Sequence, residues 1–406
     1  MLFRYPGRFT IAVLTIPSIA TAWWYRPIGN HEGNVNGPER SGWPYMSKRN
    51  IQEELHSTPA FINIARNIVT PVVVIFWRFI LNYSPFGGEL TLVHDENYDK
   101  FVAAMIRRKS NQAIITVANH RSLLDDPLVM CNLLPWHVAI QPKYLRWAAC
   151  SQEYCFTLPS LITAFFGAGK TLGVWRGGGV NQRQWLDYAR HVFNGDWCHV
   201  FPEAGIWQNA DGTLGGRGAF QNPENNTKNI TRDDSGKLKW GIGKLIAHAP
   251  VTPIVVPFYH IGMERMLEQN PKTRRLMKPL IDALLRCPLD KGVHIAFGEE
   301  IDFTDLLLEY EIKNKCKLKK FTTSSKADSM KYMIDNPNKL MSIANNIDNE
   351  GVLNFHQYWD SSPSELELYH KITLRIEAKM IELEKKQPAY IQRHPSSSAI
   401  GNTVNK

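Results

Sequence analysis

The stretch that most constrains this fold is Ile114, Ile115, Thr116, Val117 and Ala118, an apolar, β-branched run that reads as a buried strand. Comparable runs follow at 198–201, 254–259 and 293–297, with a shorter strand candidate at 137–140. Segments of helical character, such as 238–249, lie between them. This alternation predicts α/β architecture with a mostly buried sheet. A chain of 406 residues, 44% of them hydrophobic, has room for one large domain or two modest ones and for a sizeable core.

The strand runs into Asn119, His120, Arg121, Ser122, Leu123, Leu124, Asp125, Asp126 and Pro127. It is expected to end near Asn119, with Asp125 or Asp126 opening a helix and Pro127 at a favoured first helical position. His120 and Asp125 then share one strand-to-helix turn. A carboxylate there can hydrogen-bond one imidazole nitrogen, fix the tautomer and make the other nitrogen more basic. That arrangement suits a general base acting on a hydroxyl. The same pair also fits an ordinary turn with a solvated histidine and a capping aspartate, because two residues match easily by chance.

Three later blocks bear on the choice. Gly169, Gly173 and Gly177 to Gly179 surround Arg176; the glycines let backbone approach a ligand closely and the arginine can fork onto a phosphate. The spacing is not that of a Walker A loop. At 196–205 a strand runs into Pro202 and Glu203, where α/β proteins place functional loops. Glu203 can accept hydrogen bonds from substrate hydroxyls, orient a cation, or stand as an exposed loop carboxylate. At 253–264 a hydrophobic strand has a proline exit at Pro257, either lining an acyl-chain groove or forming plain core.

The flanks divide the chain. Residues 1–60 are a targeting segment and linker: Arg4, Arg8 and Arg26 precede the first acid, Glu32, as in an organelle import segment, with a secretory signal as the rival. Residues 61–90 contain the apolar run 68–81, broken by Pro71 and Arg78. It is expected to lie in a membrane surface, with Arg78 snorkelling and Trp77 at headgroup depth; a buried core helix is the alternative. Residues 311–362 form a polar, lysine-rich insertion. Residues 363–388 form a helix opened by a capping box at Ser364–Glu367, with Leu368, Ile372, Ile376, Met380 and Leu383 on one side and Pro388 at its end. A disordered tail, 389–406, follows.

Lysine and arginine number 47 against 38 acids, a balance suited to nucleic acid, anionic lipid or acidic substrates. Among the six cysteines there is no C-x-x-C pair, so no zinc knuckle is indicated and the thiols read as reduced.

Taken together, the four blocks resemble the glycerolipid acyltransferase family, whose pattern is Asn-His, four spacers and Asp, then a Gly/Arg block, Phe-Pro-Glu-Gly, and a strand ending in Pro. Leu145-Arg146-Trp147, Cys155-Phe156-Thr157, Gly195-Asp196-Trp197, residues 239–247 and His260-Ile261-Gly262-Met263 narrow the resemblance to the phospholipid–lysophospholipid transacylases. It covers roughly residues 65–300 and resumes weakly at 364–387. Two features depart from the pattern: Ala204 stands where the family has glycine, and a long polar segment follows Gln208.

The resemblance implies a central sheet flanked by helices in an acyltransferase domain at 91–310. It implies that His120 is the general base, assisted by Asp125. Asn119, Arg176, Gly177, Glu203 and Gly205 would bind substrate, Arg176 through a lipid phosphate and Glu203 through the glycerol or headgroup. The implied reaction moves acyl chains between phospholipids and lysophospholipids, phosphatidylcholine and cardiolipin or monolysocardiolipin among them. It uses neither coenzyme A nor another cofactor nor a metal. The implied setting is a mitochondrial membrane surface, with monotopic attachment facing the intermembrane space and no nucleic-acid partner. An acyl-CoA-dependent lysophospholipid acyltransferase and a non-catalytic lipid-binding protein are the alternatives.

Overall fold

A computed structural model of the chain describes residues 60–83, 90–151, 166–167, 169–174, 183–206, 208, 238–265, 267–270, 277, 293–318, 320 and 361–393. Seven strands form its sheet: β1 (Leu90–Leu92), β2 (Ile114–Ala118), β3 (Trp147–Ser151), β4 (Thr171–Val174), β5 (Trp197–Val200), β6 (Ile254–Ile261) and β7 (Val293–Phe297). Their order is β1-β7-β6-β2-β5-β3-β4. Pairing is parallel except between β6 and β7.

All five residues of β2 are buried, which explains its lack of polar alternation. Its side chains still alternate between faces: Ile114 and Ala118 join one apolar cluster, Ile115 and Val117 the other. The first cluster is covered by α1 (Ala60–Tyr83), α2 (Glu96–Arg107) and the segment after the His120 turn. Asp95 caps α2 by accepting the Tyr98 N–H, and Tyr98, Phe101 and Met105 form its buried stripe. The second cluster lies under α3 (Arg183–Phe193), α4 (Gly241–His248), α5 (Thr304–Asn314) and α6 (Pro363–Arg393). Helices α4 and α6 approach so closely that a Cβ on Gly243 would sit 2.3 Å from the Tyr369 carbonyl oxygen. Leu368, Ile372, Ile376, Met380 and Leu383 are the buried stripe of α6.

Several local expectations need correction. Residues Trp136–Ala139 are a short helix, not a strand: Pro135 stands at its start and four residues close one turn. The capping box of α6 lies two residues earlier than expected. Ser362 Oγ accepts the Glu365 N–H at 3.2 Å and Glu365 Oε2 accepts the Ser362 N–H at 2.7 Å. Pro363, which has no N–H to offer, takes the first helical position. Helix α6 continues past Pro388 to Arg393, since a proline removes one helical hydrogen bond without ending the helix outright. Strand β6 likewise runs through Pro257. That residue's carbonyl accepts from Gly298 N–H at 2.8 Å, so the missing donor falls where the β6–β7 ladder ends. Cys150 is disulfide-bonded, with a partner outside the described residues, whereas Cys131, Cys198 and Cys316 are free thiols.

Helix α1 also differs from expectation. It continues through Pro71, and Arg78 does not snorkel. Its guanidinium donates to the carbonyls of Cys131, at 2.7 Å, and Leu134, and lies over the Trp136 ring, so it pins α1 to the domain. Val69, Val73 and Val74 face the core and Trp77 packs against it. The opposite face, with Ile64, Val72, Ile75, Phe76 and Phe79, is apolar and exposed. Among the described residues no helix is long and apolar enough to cross a membrane. The import segment, the triplets Asn225-Asn226-Thr227 and Asn229-Ile230-Thr231, which match glycosylation sequons, the basic insertion beyond Lys320 and the tail from 394 lie outside the described residues.

Candidate active site

The three central strands β5, β2 and β6 are parallel and in register, with Val117 opposite both Val200 and Pro257. Their carboxyl ends therefore open on one edge, where α/β sheets place ligands. Asn119 and His120 follow β2, Phe201 to Glu203 follow β5, and His260 is near the end of β6.

His120 Nδ1 lies 2.9 Å from Asp125 Oδ2. The turn is tight enough that the same oxygen accepts the backbone N–H groups of Arg121, at 2.5 Å, and Ser122, at 2.9 Å. Burial alone would raise the Asp125 pKa. The neighbouring His260 and His120 imidazoles and the Ser122 N–H outweigh it and hold the carboxyl below its ordinary value. An ionised Asp125 can only accept, so in the neutral ring His120 carries its proton on Nδ1 and leaves Nε2 bare. The Asp125 side chain is 0% exposed and that of His120 18%, so the carboxylate is sealed while the imidazole is reachable. Phe201 stacks on the imidazole with ring centroids 4.1 Å apart and limits its rotation. The structure therefore brings His120 and Asp125 together, with Asp125 at the first position of the helical turn Asp125–Val129.

The other expected site residues behave differently. Asn119 is 0% exposed and spends its amide on β6: Nδ2 donates to His260 O at 2.7 Å and Oδ1 accepts His260 N–H at 2.9 Å. Glu203 is 2% exposed, and its Oε1 accepts the backbone N–H of His120 at 2.9 Å. In these contacts Asn119 ties the His120 turn to β6 and Glu203 holds its backbone, where ligand binding was expected. Ala204 adopts φ +53°, the left-handed region that glycine can adopt without strain. Gly205 is half-buried beside it. Arg176 and Gly177 lie outside the described residues, two and three positions after the end of β4.

The structure adds residues to which sequence reasoning gave no role. Arg121, buried within the turn, donates to the Tyr259 hydroxyl at 2.7 Å. Gln208 donates to Arg121 O at 2.7 Å. Arg146 grips Asp126, with Nε 2.8 Å from Oδ1, and donates to Gly169 O at 3.1 Å. The Leu145-Arg146-Trp147 and His260-Ile261-Gly262-Met263 resemblances were the available signals for two of these partners, Arg146 and His260. No group of three His, Cys, Asp or Glu residues among those described is arranged to hold a metal ion.

A sealed Asp125 beneath a reachable His120 sits at the carboxyl edge of the parallel strands. The family profile named Acyltransferase matches residues 93–261, the span from the end of β1 to the end of β6. The chain is 31% identical over 243 residues to N-acylphosphatidylethanolamine synthase of Arabidopsis thaliana, covering 59% of this chain and 72% of that protein. The chain belongs to the acyltransferase family.

Within the family it is tafazzin-like. It is 25% identical over 272 residues to Tafazzin of Drosophila melanogaster, covering 67% of this chain and 59% of that protein. It is 31% identical over 187 residues to the protein named Taffazin of Dictyostelium discoideum, covering 45% of this chain and 57% of that protein.

Proposed function

We propose that this acyltransferase exchanges acyl chains directly between phospholipids and lysophospholipids at a membrane surface, remodelling cardiolipin. The observation that carries the reading is the His120–Asp125 pair, one partner sealed and the other reachable. His120 Nε2 takes the proton of a lysophospholipid hydroxyl, and the oxygen attacks the ester carbonyl of a donor phospholipid. The tetrahedral intermediate collapses, the donor's glycerol oxygen leaves, and His120 returns the proton to it. Asp125 holds the imidazole and stabilises the imidazolium between the two transfers. One ester replaces another, so the exchange is nearly isoenergetic and proceeds in this scheme without coenzyme A, metal or other cofactor. Arg176 and its glycines bind a lipid phosphate, with Gly177 and Gly205 lining the approach.

The exposed apolar face of α1 supports monotopic attachment. Ile64, Val72, Ile75, Phe76 and Phe79 recur at helical spacing on the side away from the core. Helix α1 packs beside the segment that directly follows the catalytic turn, which brings a lipid-facing surface near the base. The acid-free residues 1–27 support import into mitochondria, and the resemblance to tafazzins supports a placement facing the intermembrane space.

The test is acyl exchange between labelled phosphatidylcholine and lysocardiolipin by purified protein, with and without acyl-CoA. Transfer without coenzyme A is the expected result; transfer that requires acyl-CoA would overturn the transacylase assignment. Similarity to a protein named N-acylphosphatidylethanolamine synthase favours a second reading, with an ethanolamine amine as the acceptor. The same assay with phosphatidylethanolamine as acceptor separates the two by product: an amide in one case, an ester in the other. A reporter fused to residues 1–27 should enter mitochondria, and glycans at Asn225 or Asn229 in the native host would contradict that destination.

A further inference from the structure

Asp125 has a second imidazole beside it. His260 Nε2 lies 3.6 Å from Asp125 Oδ2, and both side chains are 0% exposed. The same Nε2 lies 3.0 Å from the backbone carbonyl of Asn119, the residue immediately before His120. A carbonyl can only accept, so His260 Nε2 carries a hydrogen and Nδ1 is bare in the neutral ring. Among the described residues the buried Nδ1 has no hydrogen-bond partner, which disfavours protonating it, and burial lowers the His260 pKa in the same sense. His260 is therefore a neutral donor. Its single N–H points at the catalytic turn, toward a carbonyl that precedes the base and the carboxylate that orients it. Its own backbone is fixed in turn by both ends of the Asn119 amide. A histidine placed only to fill the core has no need of a buried carboxylate at this distance.

We propose that His260 is a positioning residue for acyl transfer, its Nε2–H holding the Asn119 carbonyl and supporting the Asp125 carboxylate so that Oδ2 stays aimed at His120. The inference rests on the general-base reading above. It assigns to β6 the task of registering the catalytic turn, besides its place in the sheet. His260 touches no reacting atom in this scheme, so its loss acts on turnover by misplacing the base.

The test compares His260→Gln, His260→Asn and His260→Leu in the full-length protein, assayed on phosphatidylcholine and lysocardiolipin vesicles for kcat and KM. Glutamine can present an amide N–H near the Nε2 position, asparagine near the Nδ1 position, and leucine none. His260→Leu and His260→Asn should lower kcat about 10- to 100-fold with little change in KM, as for a misplaced catalytic group, while His260→Gln stays near wild type. In an Asp125→Asn background His260→Leu should lower the rate by less than about twofold further, because residues acting as one unit are not additive. Equal losses in the Gln and Leu variants, or a full multiplicative loss in the Asp125→Asn background, would overturn the proposal. If His260→Leu fails to fold, the contrast between the two amide variants decides the matter alone. An active His120→Ala protein would defeat the general-base reading itself. An inactive His120→Ala beside a fully active, folded His260→Leu would defeat only the role of His260.

Discussion

Glu203 Oε1 accepts the backbone N–H of His120 at 2.9 Å, across 83 residues of sequence. The contact fixes the base from the chain rather than from its ring. Glu203→Ala strands a buried donor, and it should cost about 1–3 kcal/mol of stability and lower kcat. Glu203→Gln keeps an acceptor oxygen and should be milder on both counts. Thermal melts with initial rates check this; equal behaviour of the two variants would refute it.

His120→Ala should lower acyl transfer by at least about 10²-fold while the protein stays folded and binds lipid. Asp125→Asn places an amide where the ionised carboxylate accepts three hydrogen bonds, and it should be comparably damaging. The double variant should be no worse than the more damaging single one. Rates measured against lipid concentration decide; near wild-type turnover by folded His120→Ala would leave the lipid-binding alternative ahead.

Ala204 holds φ +53° with a Cβ in place. Ala204→Gly relieves that strain but loosens the unfolded chain, and the balance should favour the variant by about 0.5–1 kcal/mol. A denaturant titration reads it directly. An unchanged or lower midpoint at constant slope would show that the turn carries no net penalty.

Burial pushes the Lys170 ammonium down to about 8, with Asp196 opposing the shift and Arg66 adding to it. Below about pH 8 folded and unfolded chains both hold the proton, and the folded state carries the full penalty of a buried charge. Between about pH 8 and the ordinary lysine value of 10.5 the unfolded chain binds more protons, so this contribution to stability rises with pH, by up to roughly 3 kcal/mol. The unfolding midpoint of wild type should therefore gain on that of Lys170→Met as pH rises from about 8 toward 10.5. Parallel pH profiles for the two proteins would contradict the assignment.

Gly243→Ala drives a methyl group into backbone, with Tyr369 O only 2.3 Å away. Neither helix has a flexible side chain there to yield, so α6 must shift. The expected cost is about 1–3 kcal/mol, as for overpacking a core, with faster proteolysis of α6. A variant with native stability and protease resistance would show that the α4–α6 contact is softer than its geometry.

The sheet was legible because β2, β6 and β7 are buried on both faces and so carry continuous apolar runs. The dyad was legible because its partners are close in sequence and a strand and a helix fix the turn between them. What escaped was set by tertiary context. Nothing local distinguishes Asn119 binding a ligand from Asn119 clamping β6, or Arg78 reaching lipid from Arg78 bonding Cys131 O. Val138, Ala139 and Ile140 after His137 suit strand and helix equally, being too short a run to show a period; Pro135 favours the helix. The capping box slipped by two residues because serines at both 362 and 364 are followed three positions later by glutamate. Only Ser362 precedes the proline that starts the helix.

The Asn119 amide reaches across 141 residues to His260. As the chain leaves the ribosome, the histidine and aspartate emerge together, long before β6 is made. Local turn chemistry can bring the two side chains close at that stage, but no partner yet exists for the central strand on its β6 side. Loop closure over such a separation is slow, so the catalytic turn is among the last parts of the domain to gain its final register. A translation product that stops short of β6 carries His120, Asp125 and Glu203 but lacks the strand that holds the Asn119 end of the His120 turn.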